Sequence, residues 1–376
     1  MSIFNKLKSQ EVSQIRQALH KMPELRGHEA QTMKFIADYL VEIGIKCSAD
    51  KNGVVAHIEA EPRAAQTLLL ACNISASALQ EKTDLPFASI RGGIMHATGN
   101  DANIAILLTV AKEIFANRAS LKSNIKFAFY SDIKGMIDGG LLSGGVVAAM
   151  KMQLDPSHVI GDILVKKGRY LAANDNFEIT LKGKGGDGRY PAAHSSLSYV
   201  VAQIVENIYS LVPRKFSAVD NALISVCNIE CGNAFDVMPS KAAIRGMIQT
   251  YDENIRALSP VYIEQIAGCL AAGHEVDYEF RLIEGAPPVN NNEILADMLC
   301  TAAEKNGNLI MLRDKKMGSD DFAYLAERVR GCYFEIGCGN KAKGITAPLN
   351  SEYFDIDENA MQVGIDVLRD FAMGYK

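Results

Sequence analysis

The chain has no block of basic residues, no uninterrupted apolar stretch of membrane-spanning length, no C-x-x-C pair and no phosphate loop set between a strand and a helix. Each absence removes a class of function. Lys and Arg number 39 against 44 Asp and Glu, for a net charge of −5. Without a basic patch, no nucleic-acid partner held through phosphates is expected. "MSIFNKLKSQEVSQIRQAL" carries no apolar leader core and no later segment suits a bilayer, so no membrane partner is expected and the protein is placed in the cytoplasm. The cysteines, Cys47, Cys72, Cys227, Cys231, Cys269, Cys300, Cys332 and Cys338, are scattered, which predicts free thiols rather than disulfides or a zinc ribbon. "CNIEC" reads as core strand, and the glycine-rich "KGKGGDG" as a turn. No internal repeat or low-complexity segment is evident.

What is present suffices for two domains: 376 residues, 48% of them hydrophobic. "SQEVSQIRQALHKMPEL" and "AQTMKFIADYLVEIGI" space apolar residues three and four apart and predict helices, with Pro23 between them. "VVAHIEA" and "TLLLACNI" predict strands. A helix from about Ile104 to Asn117, a strand "NIKFAFYS", a glycine-rich turn into a helix and a strand "HVIGDILV" follow. This alternation predicts an α/β layer with a largely parallel sheet. Near Asp175 the rhythm changes to an α+β unit of about four strands and two helices, and "GAPPVNNNE" reads as the linker back. The expected fold is α/β with two domains, residues 1–174 plus 286–376 forming one and 175–285 an inserted α+β lid.

"GGIMHATGNDANIAILL" places a His, a Thr, two Asn and an Asp just ahead of a helix, where free N–H groups favour a ligand. Together with "LHKMPEL", "PFASIRGG", "AFDVMP", "MGSDDFAYLAERVRGCYFEIGCGN" and "TAPLNSEYFDIDENAM", it resembles the hippurate hydrolase and N-acyl-amino-acid amidohydrolase family over nearly the whole length. The resemblance implies a zinc-peptidase-like α/β sandwich with a lid through which two copies pair. It also implies hydrolysis of an amide by one or two divalent metals, with a glutamate moving the proton.

Carried over position by position, the family's metal ligands fall on Thr98, Asn100, Lys134 and Asn350, with a further histidine at or beside Asp162 and Ile163. Its proton-shuttling glutamate falls on Ile133. Asn73 and Ser75 replace two aspartates, Asp187 a lid histidine, Asp236 an asparagine and Gln249 an arginine. With His96, Asp101 and Asp132, these residues make up the expected pocket, with no metal and no cofactor. His96 reads as a hydrogen-bonded structural residue or a ligand, and Asp101 as a substrate-orienting group or a helix cap. Lys134 is expected to supply the missing positive charge against Asp101, Asp132 or Asp162, and Lys151 to lie at the surface. With residues 73 and 75 facing the pocket, Cys72, next to Asn73 on a strand, is expected in the core.

Three functions remain open at this stage. One is a non-hydrolytic homologue binding an acyl-amino-acid-like small molecule or a protein partner. Another is a repurposed, metal-independent enzyme carrying out acyl transfer or condensation. The third is a metallo-amidohydrolase with a site rebuilt from Asp101, Asp132, Asp162 and Asp187. A homodimer joined through the lid is expected in each case.

Overall fold

The computed structural model describes residues 3–217 and 221–376. Its main elements in chain order are α1 (Ile3–Lys21), α2 (Ala30–Glu42), β1 (Cys47–Asp50), β2 (Gly53–Ile58), β3 (Thr67–Asn73), α3 (Asn100–Ala116), β4 (Asn124–Tyr130), α4 (Ile133–Asp138), β5 (Val146–Val159) and β6 (Asp162–Val165). There follow β7 (Ala173–Lys182), α5 (Leu197–Lys215), β8 (Ala222–Cys231), β9 (Lys241–Thr250), α6 (Glu253–Gly273), β10 (Asp277–Ile283), α7 (Glu293–Asn306), β11 (Asn308–Met311), β12 (Arg330–Gly339) and α8 (Ala360–Gly374). None of the described helices is long and apolar enough to cross a membrane.

The chain divides into two compact units. The first holds an eight-stranded sheet in the order β1-β2-β4-β3-β5-β12-β6-β11. β3 pairs in parallel with both β4 and β5, and β5 in parallel with β12, as the α/β expectation requires. The strands' period of two separates two buried faces. Leu68, Leu70 and Cys72 of β3 and Met150, Met152 and Leu154 of β5 join Ile104, Leu107 and Leu108 of α3 in one apolar core. On the opposite parity Lys126, Tyr130, Lys151, Gln153 and Glu335 are buried as well. Cys72 thus lies in the core, where burial pushes its thiol well up.

The element reading needs correction around β5. Only the six-residue α4 follows β4, and residues 146–157, read as turn and helix, form most of β5 instead. Its polar and apolar residues alternate, but both faces are buried, so the alternation does not mark a wet side. "HVIGDILV" is not one strand: Gly161, at φ +94°, turns the chain, so that β5 runs parallel to β12 and β6 antiparallel to it. α3 begins at Asn100 rather than near Ile104, preceded by Gly99 at φ +73°.

The second unit comprises Arg169–Val289 and Lys315–Ala323. Its boundaries therefore lie outside 174 and 286, because Lys316 N–H donates to the Tyr170 carbonyl (2.9 Å) and Ala172 N–H to that of Gly318 (2.9 Å). Composition carries no trace of such backbone pairings. Four strands in the order β8-β9-β7-β10 pack Phe177, Ile179 and Ile244 against Val200 and Ile204 of α5 and Ile263 of α6. "CNIEC" ends the edge strand β8, so Cys227 is exposed and Cys231 half-buried rather than core. The strand "NFEITLKGK" is interior, paired on both sides.

A clip closes the longer of this unit's two segments. Asn174 N–H donates to the Ala286 carbonyl (3.0 Å) and Gly285 N–H to Asp175 Oδ1 (2.8 Å). Arg256 grips both Asp175 oxygens (2.7 and 2.9 Å) and the Gly285 carbonyl (3.0 Å). A Cβ on Gly285 would fall 1.8 Å from the Asn174 carbonyl oxygen, so only glycine closes the clip.

Candidate functional site

The C-terminal end of β3, the middle of β5 and the first turn of α3 bring a set of amides together. Asn73 Oδ1 accepts from Ser75 N–H (2.7 Å) and from Asn100 Nδ2 (3.3 Å), and Asn100 Nδ2 also donates to the Ser75 carbonyl (2.8 Å). Asn103 Nδ2 donates to Gln153 Oε1 (2.8 Å), and Gln153 Nε2 to the Thr98 carbonyl (2.8 Å). Ser75 Oγ donates to Glu29 Oε1 at 2.5 Å, and Glu29 is itself buried. Asn350 N–H donates to the Ala97 carbonyl (2.8 Å), fixing its φ at +62° beside Thr98. The structure thus brings Asn73, Ser75, Thr98, Asn100 and Asn350 together around a network that is electrically neutral except at Glu29.

Three members, Glu29, Asn103 and Gln153, were missed. Gln153 went unseen because β5 was not recognised. The signal was there, in Lys151, Gln153 and Asp155 alternating with Met150, Met152 and Leu154.

His96 and Asp101 belong to an adjoining ionic cluster. Asp101, fully buried, accepts from Arg16 Nε (3.1 Å) and lies 2.8 Å from His20 Nδ1, while His20 Nε2 lies 3.2 Å from Glu81. Arg16 also reaches Asp355 (2.7 Å) and Glu358 (3.2 Å). Burial opposes charge on all three central groups. The Asp101 carboxylate nevertheless outweighs it at His20, raising that imidazole to about 9, and His20 with Arg16 holds Asp101 far below the usual carboxylate range. Asp101 is thus an ion-pair centre and not the helix cap, since α3 has no side-chain cap. His96 is not hydrogen-bonded: both ring nitrogens are buried without a partner, its ring centroid is 6.4 Å from that of His20, and burial depresses it to about 4.

The expected role of Lys134 is not what the structure displays. Its side chain is exposed, with Nζ 4.9 Å from the centre of the Tyr324 ring. Asp101 is answered by Arg16 and His20, and Asp132 by Arg26 (3.3 Å) in an exposed pair. Lys151, expected at the surface, is the buried ammonium: it is 3% exposed and donates to the Tyr130 hydroxyl (2.7 Å). Asp162 is not in the pocket; it heads β6, two places from β5 in the sheet, and accepts from Asn308 Nδ2 (2.9 Å). Asp187 and Asp236 lie in the second unit. There Asp187 is chelated by Arg189 (Nη2 at 2.6 Å), and the Asp236 carbonyl accepts from Gly188 N–H (2.8 Å).

Among the described residues, no three His, Cys, Asp or Glu side chains stand so as to hold a metal ion.

Comparison with known proteins adds a family. A model described as peptidase family M20/M25/M40 matches residues 76–374. An N-acetylcysteine deacetylase of Bacillus subtilis (strain 168) is 30% identical, covering 96% of this chain and 95% of its own. Thermostable carboxypeptidase 1 of Saccharolobus solfataricus is 28% identical over 94% of this chain and 92% of its own. Among solved structures, a dinuclear metal-binding peptidase of the M20 family from Bacillus subtilis superposes with a TM-score of 0.81 at 28% identity, covering 98% of each chain.

Proposed function

The chain belongs to peptidase family M20/M25/M40, and from that premise we propose that it is a member without a metal centre, binding an acyl-amino-acid-like ligand without metal-dependent hydrolysis. The observation that carries this reading is the amide network of Asn73, Asn100, Asn103 and Gln153. A threonine hydroxyl, asparagine amides, an isoleucine and an exposed ammonium stand where the family resemblance places ligands and the proton-shuttling glutamate. They do not form the nitrogen, sulfur and carboxylate set that zinc requires. Carboxylates clustered without cations would repel one another, and neutral amides avoid that cost, although Asn103 Oδ1 is buried without a partner.

One observation favours a second reading, that of a metal-independent acyl-transfer enzyme: the Ser75 hydroxyl lies 2.5 Å from the buried Glu29 carboxylate. A single experiment separates the two. Purified protein is assayed for metal content and incubated with N-acetyl- and N-benzoyl-amino acids, with and without added zinc, manganese, cobalt or nickel. The expected result is no stoichiometric metal and no turnover above a mock preparation. Metal-stimulated, chelator-sensitive release of amino acid would overturn the proposal, and metal-free turnover lost in Ser75→Ala would establish the second reading in its place.

We also propose a homodimer joined through β8. This strand is an edge of the four-stranded sheet, with Leu223 and Ile229 exposed; the Tyr209 hydroxyl covers the backbone N–H and carbonyl of Val226, and an edge of this kind favours pairing with a second copy. Sedimentation at micromolar concentration is expected to give a dimer that a proline placed within β8 dissociates; a monomer from the outset would refute it.

A further inference from the structure

On the face of the sheet that carries Tyr130 and Lys151, β4 buries another ammonium. Lys126 is 8% exposed and donates to the carbonyls of Leu141 (2.8 Å) and Ser143 (2.7 Å). No carboxylate is paired with it among the described residues. Its cross-strand neighbour is His57, whose Nε2 is buried without a partner. Burial lowers Lys126 from the usual lysine range, as expected of a desolvated cation without a counter-ion.

Beside it opens a cleft of about 280 Å³, lined by Lys126, Ser143, Val55, Met136, Leu141 and Asp50 among others. That volume lies below the usual range for drug-sized ligands and suits a small metabolite.

We propose that this cleft binds a short aliphatic monocarboxylate, its carboxylate against Lys126 and its hydrocarbon against Val55, Met136 and Leu141. A buried, unpaired cation is costly, and an anion entering the cleft offsets that cost in a medium of low dielectric. The apolar wall selects a carboxylate with a hydrocarbon tail over phosphate or sulfate, which would leave that wall in contact with water or oxyanion. Asp50 does not call for an α-amino acid. It pairs in register with Gly53, whereas Lys126 pairs with His57, four residues further along β2. At about 3.3 Å per residue, that puts the two charges at opposite ends of the cleft, too far apart for groups on one carbon. The site is separate from the amide pocket and does not rest on the function proposed for it. α4 connects the two, with Met136 lining the cleft and Ile133 and Lys134 in its first turn.

The test is thermal unfolding and titration calorimetry of the full chain with pentanoate, pentanamide and inorganic phosphate at equal ionic strength. Saturating pentanoate is expected to raise the melting temperature by about 2 °C or more, with little response to pentanamide or phosphate. Lys126→Met is expected to abolish the response. Should that variant fail to fold, Ser143→Asp, at an exposed position that lines the cleft and whose carbonyl accepts from the ammonium, adds a carboxylate to the cleft lining and is expected to abolish binding in a folded protein, while Asp50→Asn keeps it. Equal stabilisation by pentanamide, a stronger response to phosphate, or undiminished pentanoate binding in Ser143→Asp would each overturn the proposal.

Discussion

Asp101→Asn is expected to cost the protein about 3–5 kcal/mol of stability, the usual penalty for removing one partner of a buried ion pair. The side chain keeps its shape and loses only its charge, so packing contributes little. What remains is Arg16, 2% exposed, without the most deeply buried of its three acids, and His20 without the carboxylate that keeps it protonated. Asp355 and Glu358 still face Arg16 but are partly open to solvent, and water screens what they offer. Urea denaturation at neutral pH measures the loss. A double-mutant cycle with Arg16→Met apportions it: a coupling energy near zero, or a single-variant loss under about 1 kcal/mol, would mean that the cluster does not hold α1 to α3 as described.

Stability is expected to fall on both sides of a maximum near pH 6.5, through two histidines displaced in opposite directions. His20 is raised to about 9 in the folded chain. Its contribution is therefore complete below the unfolded value near 6.5 and is lost as the pH climbs through 9, a change of about 3 kcal/mol. His96 is depressed to about 4, so its neutral form is favoured on folding. That contribution is complete above about 6.5 and is lost as the pH falls toward 4, when the unfolded chain takes up a proton that the folded chain refuses. Denaturation midpoints between pH 4 and 10 trace the curve. His20→Gln should flatten the alkaline limb and leave the acid limb standing; an unchanged alkaline limb in that variant would show that another group is responsible.

How much of this was readable beforehand depended on exposure. α1 and α2 announce themselves because one side meets water: Val12, Ile15 and Leu19, and Thr32, Ile36 and Leu40, are buried at helical spacing between polar neighbours. β5 has no wet side. Its residues from Ala148 to Asp155 are all buried, so polar and apolar positions alternate without marking an outside, and the strand passed for turn and helix. Gln153 therefore carries no local signal of belonging to the amide network, and Asp162, expected in the pocket, heads β6 instead. Lysine usually lies at the surface, which is why Lys151 reads as exposed, while Lys134, at a position where the family resemblance expects a glutamate, reads as the pocket charge. Ser75, Asn100 and Asn350 were located by motif alone, since short motifs flanking a helix N-terminus keep their spacing in three dimensions. The Arg16–Asp101–His20 cluster joins residues 85 positions apart in the chain, and local pattern carries no information about such a pairing.

The clip at Asp175, Arg256 and Gly285 has a consequence for how such a chain is assembled. Its two ends are separated by 110 positions in sequence yet joined by a hydrogen bond of 2.8 Å. To the larger sheet, everything between them is a single closed loop. The entropy of closing a loop grows only with the logarithm of its length, about 0.6 kcal/mol for each doubling, so an excursion of a hundred residues burdens the rest of the chain little more than a short one. A segment so tied can be lengthened, exchanged for another or lost in one event, while β1 to β6 and β12 keep their pairing.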